Sequence, residues 1–173
     1  MSYIFYYSSP LGKITMYEHD KKLCGLYLEG QSISHKINPT DIIEKSTPLF
    51  ECTSKWLDIY FSGHNPGFTP DLYLDSTPFR MDVWKLLLEI PYGQTISYKE
   101  LAEKLAEMYS VSKMSAQAVG GAVGHNPISI IIPCHRVIGS DGSLTGYAGG
   151  IDKKARLLTL EGQILPPNQI SKA

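Results

Sequence analysis

Between Asn126-Pro127 and Pro133 the chain carries Ile128-Ser129-Ile130-Ile131-Ile132, four isoleucines around one serine. An apolar run of this length, bounded by proline on both sides, fits a strand buried on both faces. Proline has no N–H to give to a ladder. Pairing should therefore weaken at Pro133 and leave Cys134 at the strand's exit, near a surface or pocket. His135 and Arg136 follow immediately. A free cysteine is by default a small apolar filler of cores. Two features argue for more: the imidazole neighbour and the glycine-rich Gly146-Tyr147-Ala148-Gly149-Gly150 downstream.

The N-terminal part reads as a three-stranded meander over residues 3–28, with turns at Ser9-Pro10-Leu11-Gly12 and His19-Asp20-Lys21-Lys22. Gly30 to Lys45 shows no persistent period and is expected to be loop with a short polar helix. A helix then begins at Ser46 or Thr47 as cap with Pro48 in its first turn, and stops at Gly63. Leu49, Cys52, Trp56, Ile59 and Tyr60 fall near one face, which makes Cys52 a core residue. The extended segment from Pro66 to Asp75 is the candidate boundary between a domain of residues 1–75 and one of 76–173.

A second helix repeats the punctuation, with Thr77 as cap and Pro78 after it. Phe79, Val83, Leu86, Leu87 and Ile90 form its apolar face, and Pro91-Tyr92-Gly93 ends it. Ser97-Tyr98-Lys99-Glu100 is a capping box with Ile96 and Leu101 as a hydrophobic staple, so the next helix start is well fixed and runs to about Met108. A further helix, about Lys113 to Val123, completes a helix-turn-helix. Ala116, Ala118, Gly120, Gly121 and Ala122 leave it almost without side-chain bulk, and each helical glycine costs roughly 1 kcal/mol relative to alanine. Something should approach this backbone closely, either a neighbouring element or a nucleic-acid backbone. A last helix from about Asp152 turns Leu157, Leu158 and Leu160 inward, and the tail from Pro166 is expected to fray.

The net charge of −1 does not mark a nucleic-acid binder. Residues 1–75 hold six Lys/Arg against nine Asp/Glu, and residues 76–173 ten against eight, so the mild positive excess lies in the second half. DNA binding by such a chain should be modest in affinity with a shallow salt slope. No apolar run approaches a membrane span, and the N-terminus lacks a secretory pattern. Three scattered cysteines, Cys24, Cys52 and Cys134, point to a reducing, cytoplasmic compartment. Cys24 and Cys52 with His19, His35 and His64 fit no zinc spacing, so no metal is expected.

Pro133-Cys134-His135-Arg136-Val137 resembles the active-site signature of the O6-alkylguanine-DNA alkyltransferases, and the likeness extends over about Thr77 to Gly162, more loosely over the N-terminal half. The resemblance implies an α+β protein. Its N-terminal domain is ribonuclease-H-like with a small antiparallel sheet, and its C-terminal domain is winged-helix-like with the helix-turn-helix. It also implies the chemistry. Cys134 is the alkyl acceptor, His135 its base through a water, and Glu161 the carboxylate that orients the imidazole. Tyr98 donates to guanine N3. The carbonyls of Cys134 and Val137 accept from the exocyclic amine, and the Ala148 N–H, beside Tyr147, donates to O6. Asn126 ties the helix-turn-helix to the active-site strand, and Arg136 is mainly structural within this base-binding set. Ser115, Ala116, Gln117 and Gly120 lie on the helix that meets DNA.

Implied with these are double-stranded DNA as partner, contact in its minor groove, a flipped O6-alkylguanine, a monomeric protein and no cofactor. The chain departs from the family in three ways: Gln117 replaces an arginine finger, the link from Tyr98 to Cys134 is longer, and Thr145 stands where a small residue is expected. Two other functions compete: a non-catalytic sensor that flips and holds the damaged base, and a thiol hydrolase using Cys134, His135 and Glu161. The presence of Cys134 speaks against the sensor.

Overall fold

The computed structural model describes residues 2–35 and 39–165; the tail from Pro166 lies outside them. Three strands, β1 (Ser2–Ser9), β2 (Gly12–His19) and β3 (Lys22–Tyr27), form the expected antiparallel meander. The stretch read as loop contributes a fourth. After a 3-10 turn at Pro39–Asp41, β4 (Ile42–Glu44) adds to β1 in parallel, so the sheet is mixed in the order β3-β2-β1-β4. Three residues are too few to show a period, which is why the sequence gives no sign of β4.

Helix α1 (Pro48–Phe61) packs against this sheet, with Phe50 stacked on Phe5 at 5.8 Å between ring centroids. Thr47 caps it, accepting from the Phe50 N–H at 3.2 Å while its hydroxyl donates to the buried Glu18 carboxylate. The inward face is Phe50, Thr53, Trp56, Leu57 and Tyr60. Cys52, expected in the core, is exposed: it lies roughly a quarter turn from the middle of that face.

The chain divides into two compact units, Met1–Asp75 with Pro127–Ile131 and Ser76–Asn126 with Ile132–Ala173. In the first, the open edge of β3 is covered twice. Leu23 pairs with Leu72, with bonds from the Leu23 N–H to Asp71 C=O at 2.7 Å and from the Tyr73 N–H to Leu23 C=O at 2.8 Å; Leu26 pairs with Ile128. A single cut at residue 75 cannot anticipate the second cover, because it comes from fifty residues further along the chain.

The run 128–132 is buried as expected, but it is not a strand. After the one bridge at Ile128 it turns on itself. The Ile131 N–H bonds to Ser129 C=O at 2.8 Å around Ile130, whose φ is +70°, and the Cys134 N–H bonds to Ile132 C=O at 2.8 Å around Pro133 at φ −81°, ψ 63°. These are γ-turns of opposite hand. The first is of the rare type and places a β-branched residue in the left-handed region, at a cost of about 1–3 kcal/mol. Isoleucine-rich composition reports burial here, not extension.

In the second unit, α2 (Pro78–Leu88) is capped by Thr77 and buries Val83, Trp84 and Leu87. The two-residue strands β5 (Ile96–Ser97) and β6 (Val137–Ile138) pair in parallel. Helix α3 (Tyr98–Met108) starts where Ser97 accepts from the Glu100 N–H at 3.0 Å. Helix α4 (Ala116–Gly124) begins three residues later than expected, because Ser115 caps it and accepts from the Ala118 N–H at 3.2 Å. Trp84 Nε1 donates to Ala122 C=O at 2.9 Å, pinning α4 to α2. Helix α5 (Ile151–Leu160) follows Gly150. Among the described residues no helix is long and apolar enough to cross a membrane.

Candidate active site

Cys134-His135-Arg136 forms a 3-10 turn leading into β6. This turn replaces the strand exit expected there, and it supplies the bend that neighbouring thiol and imidazole need if they are to serve one site, since residues on an extended chain would face apart. The Cys134 sulfur accepts from Asn126 Nδ2 at 3.2 Å, and the same amide donates to Ile132 C=O at 2.8 Å. Asn126 comes just after His125, the C-terminal cap of α4, so the turn carrying the thiol is hydrogen-bonded to the end of the helix-turn-helix. Burial pushes the Cys134 thiol up, against the Asn126 N–H and the Lys154 ammonium, which favour the thiolate. At rest the group is a thiol that needs a base.

His135 is fully buried, and its Nε2 lies 2.5 Å from Glu161 Oε2. Glu161 stands at the C-terminal end of α5 and also accepts at Oε1 from Arg136 Nε at 2.7 Å and from the Gly93 N–H at 3.1 Å. Burial alone would raise the Glu161 carboxyl; the hydrogen bonds and charges of His135 and Arg136 outweigh it and hold it at about 2. Burial drives His135 the other way, toward the neutral imidazole, against the pull of Glu161 and with the Arg136 and Lys154 cations adding to it. Arg136 is therefore the lasting counter-charge of Glu161. An ionised carboxylate only accepts, so the proton of the neutral ring sits on Nε2 and Nδ1 carries the basic lone pair.

Lys154 has no counterpart in the sequence reading. It is fully buried on α5, and its Nζ donates to Val137 C=O at 2.5 Å, Thr145 C=O at 3.2 Å and Gly146 C=O at 3.3 Å. It lies 5.7 Å from the centre of the Tyr98 ring. Burial brings it down to about 8, with Cys134 pulling in the opposite direction. The Tyr98 hydroxyl shares two of the same acceptors, Thr145 C=O at 3.2 Å and Gly146 C=O at 3.3 Å. Burial and then the nearby Cys134 push it up to about 12, so it is a phenol with a proton to donate. The missed signal was periodic: Lys154, Leu157, Leu158 and Glu161 recur on one side of α5, and a lysine on an apolar stripe asks for a reason.

Residues 78–163 match the family model described as 6-O-methylguanine DNA methyltransferase, DNA binding domain, and residues 2–74 that family's ribonuclease-like domain. The chain belongs to the 6-O-methylguanine DNA methyltransferase family. It is 47% identical over 156 residues to the methylated-DNA–protein-cysteine methyltransferase of Methanosarcina barkeri, covering 88% of this chain and 92% of that protein. The corresponding Mycobacterium tuberculosis protein is 42% identical over 159 residues, 91% of each. The crystal structure of M. tuberculosis OGT in complex with DNA superimposes with a TM-score of 0.79 at 41% identity, over 92% of each chain.

The remaining positions expected from this family fall into two groups. Ser115, Ala116 and Gln117 are exposed on the first turn of α4, and Gly120 is half-buried. A side chain at Gly120, Gly121 or Gly124 would meet no atom within 4 Å. The space beside these three Cα atoms is therefore open, and no neighbouring protein element accounts for the lack of a side chain there. Ala148 is exposed at the tip of the turn closed by the bond from the Gly150 N–H to Tyr147 C=O at 2.9 Å, with Tyr147 half-buried. Arg136, Asn126 and Val137 are buried. The Arg136 guanidinium is committed to Glu161 and, at 2.7 Å, to Ile90 C=O, so it supports the site from behind and does not face a ligand. Among the described residues, no three His, Cys, Asp or Glu side chains gather as a metal site.

Proposed function

We propose that this chain reverses alkylation damage in DNA directly, taking the methyl group of O6-methylguanine, and also that of O4-methylthymine, onto its own Cys134. The observation that carries this reading is a buried thiol, donated to by Asn126, on one short turn with a neutral imidazole seated on an ionised carboxylate.

The steps follow from these residues. Nδ1 of His135 takes the thiol proton through a bridging water, and the Asn126 N–H and the Lys154 ammonium stabilise the thiolate as it forms. The sulfur attacks the methyl carbon in line: the S–C bond forms, the C–O6 bond breaks, and its electron pair stays with guanine. Tyr98 donates its proton to guanine N3 as that charge develops, and Lys154, 5.7 Å from its ring centre, favours the phenolate left behind. The outcome is a thioether, guanine and no restored thiol, so each molecule reacts once.

A thiol buried this deeply cannot reach a stacked base, so the nucleotide must leave the duplex, at a cost of a few kcal/mol. The exposed, small-residue face of α4 suits close approach to a DNA backbone in the minor groove, with Gln117 filling the gap left by the flipped base. The Ala148 N–H and the Val137 carbonyl are suited to reading that base. The protein acts as a monomer in this scheme. A sensor would need none of the thiol, base and carboxylate, and that reading is not favoured.

Incubation with a methylated duplex, followed by intact mass measurement beside Cys134→Ser, tests the proposal. One methyl per wild-type molecule, a plateau at one equivalent and no change in the variant are expected. Unmodified wild-type protein with bound DNA would point to the sensor, and turnover of an ester or amide to the hydrolase.

A further inference from the structure

Glu161 is held from more sides than an orienting carboxylate requires, and the additional hold comes from the turn after α2. The Gly93 N–H reaches Oε1, the oxygen that Arg136 also occupies. Gly93 belongs to a turn closed by the bond from the Gln94 N–H to Pro91 C=O at 3.1 Å. Three more contacts bind this turn to the same place. Arg136 donates to Ile90 C=O, its guanidinium carbon lies 5.8 Å from the centre of the Tyr92 ring, and the side-chain amide of Gln163, two residues beyond Glu161, donates to Gly93 C=O. Both backbone polar groups of Gly93 are thus given to the C-terminal end of α5. Its φ is +80°, and a Cβ there would come within 3.2 Å of Glu161 C=O, so a side chain is opposed by conformation and by space.

We propose that the Ile90–Gly93 turn is a positioning element for alkyl transfer: the Gly93 amide, steadied by Gln163 and acting with Arg136, fixes the Glu161 carboxylate and through it sets the pH range over which His135 serves as base. This rests on Cys134 being the alkyl acceptor. Around His135 and its Glu161 partner, the charged and titratable groups are Cys134 and Arg136 on the same turn as His135, Lys154 from α5, and Tyr92 from the Ile90–Gly93 turn. Each donor to Glu161 spreads its negative charge and weakens its attraction for an imidazolium. Loosening one leaves more of that charge for His135, which then takes up a proton at a higher pH. A protonated His135 cannot accept from the thiol, so the acid limb of the reaction must move upward.

The test is the single-turnover rate of methyl transfer from an O6-methylguanine duplex, over about pH 5 to 9, for the full-length wild type, Gly93→Ala and Gln163→Met. Gly93→Ala should move the acid limb up by about half a unit or more and lower the plateau about tenfold. Gln163→Met, which leaves the backbone conformation at Gly93 permitted, should shift it the same way by less. Neither should change affinity for unmethylated duplex. A limb that stays at the wild-type pH in both variants, with rates falling only as the folded fraction falls, would overturn the inference. If Gly93→Ala does not fold, Gln163→Met decides alone. A wild type that takes no methyl would overturn the functional reading and this inference with it, whereas a reactive wild type beside unshifted variants overturns only the inference.

Discussion

Lys154→Met separates what the buried ammonium costs from what it does. The side chain is fully buried on a helix face shared with Leu157 and Leu158, and burial brings it down to about 8. The gap to the ordinary lysine value of 10.5 corresponds to roughly 3 kcal/mol that the native state forgoes at neutral pH by keeping the charge inside. The sign follows from the direction. The folded value is depressed, so the unfolded chain holds the proton more tightly. This group's contribution is lowest below about 8, rises from there to about 10.5 and then levels off. In the wild type that rise is masked. The thiols of Cys24, pushed up to about 12 by burial, and of Cys134, also raised by burial, lose stability over the same alkaline range, as does the Tyr98 phenol. The Cys24 contribution is common to wild type and variant and cancels in their difference. Cys134 and Tyr98 lose the Lys154 charge in the variant and hold their protons more tightly there, which lowers the variant further as pH rises, while the carbonyls left by Lys154 add an offset that does not depend on pH. Urea unfolding of both proteins between about pH 7 and 10.5 should show the variant's relative stability shrinking by at least roughly 3 kcal/mol. Methyl transfer by the variant should be slower by about a hundredfold or more. A stability difference constant across that range would refute the reasoning.

Three other substitutions test separate parts of the account. Trp84→Phe removes the donor to Ala122 C=O and leaves that carbonyl buried; it should cost about 1–2 kcal/mol and quicken amide exchange in α4 more than in α1. Gln117→Arg puts a cation on the exposed first turn of α4, so DNA affinity should rise and the salt slope steepen by about one, whereas an unchanged slope would place position 117 away from the DNA. Thr145→Gly should raise the rate on benzylated relative to methylated guanine by about tenfold or more, and an unchanged ratio would remove Thr145 as a limit on pocket width.

The sequence speaks most clearly where local chemistry and the fold agree. Thr47-Pro48, Thr77-Pro78 and the Ser97 box each mark a helix start that the structure repeats, because a capping side chain and a proline act within one turn. Periodicity misleads where a segment is short or strained. β4 is three residues long, and Ile128–Ile132 has the composition of a strand yet folds into γ-turns around Ile130 and Pro133. Cys52 was drawn inward by its spacing from Trp56, although the face that packs on the sheet is centred elsewhere. In the site, the structure brings His135 and Glu161 into contact; the motif indicates Cys134 and His135, and only the wider resemblance indicates Glu161. It could not indicate Lys154, whose partners are backbone carbonyls from two other segments, or Gly93, which acts through its amide. Interactions made by the main chain leave little trace in residue identity.

The most direct test of the central claim is to locate the methyl group. Of the three cysteines, Cys52 is exposed, whereas Cys24 and Cys134 are buried. Indiscriminate alkylation should therefore favour Cys52. Digestion and tandem mass spectrometry after reaction with an O6-methylguanine duplex should find one equivalent of S-methylcysteine at Cys134, with Cys24 and Cys52 still free thiols. Methyl on Cys52, or spread across all three, would contradict the account.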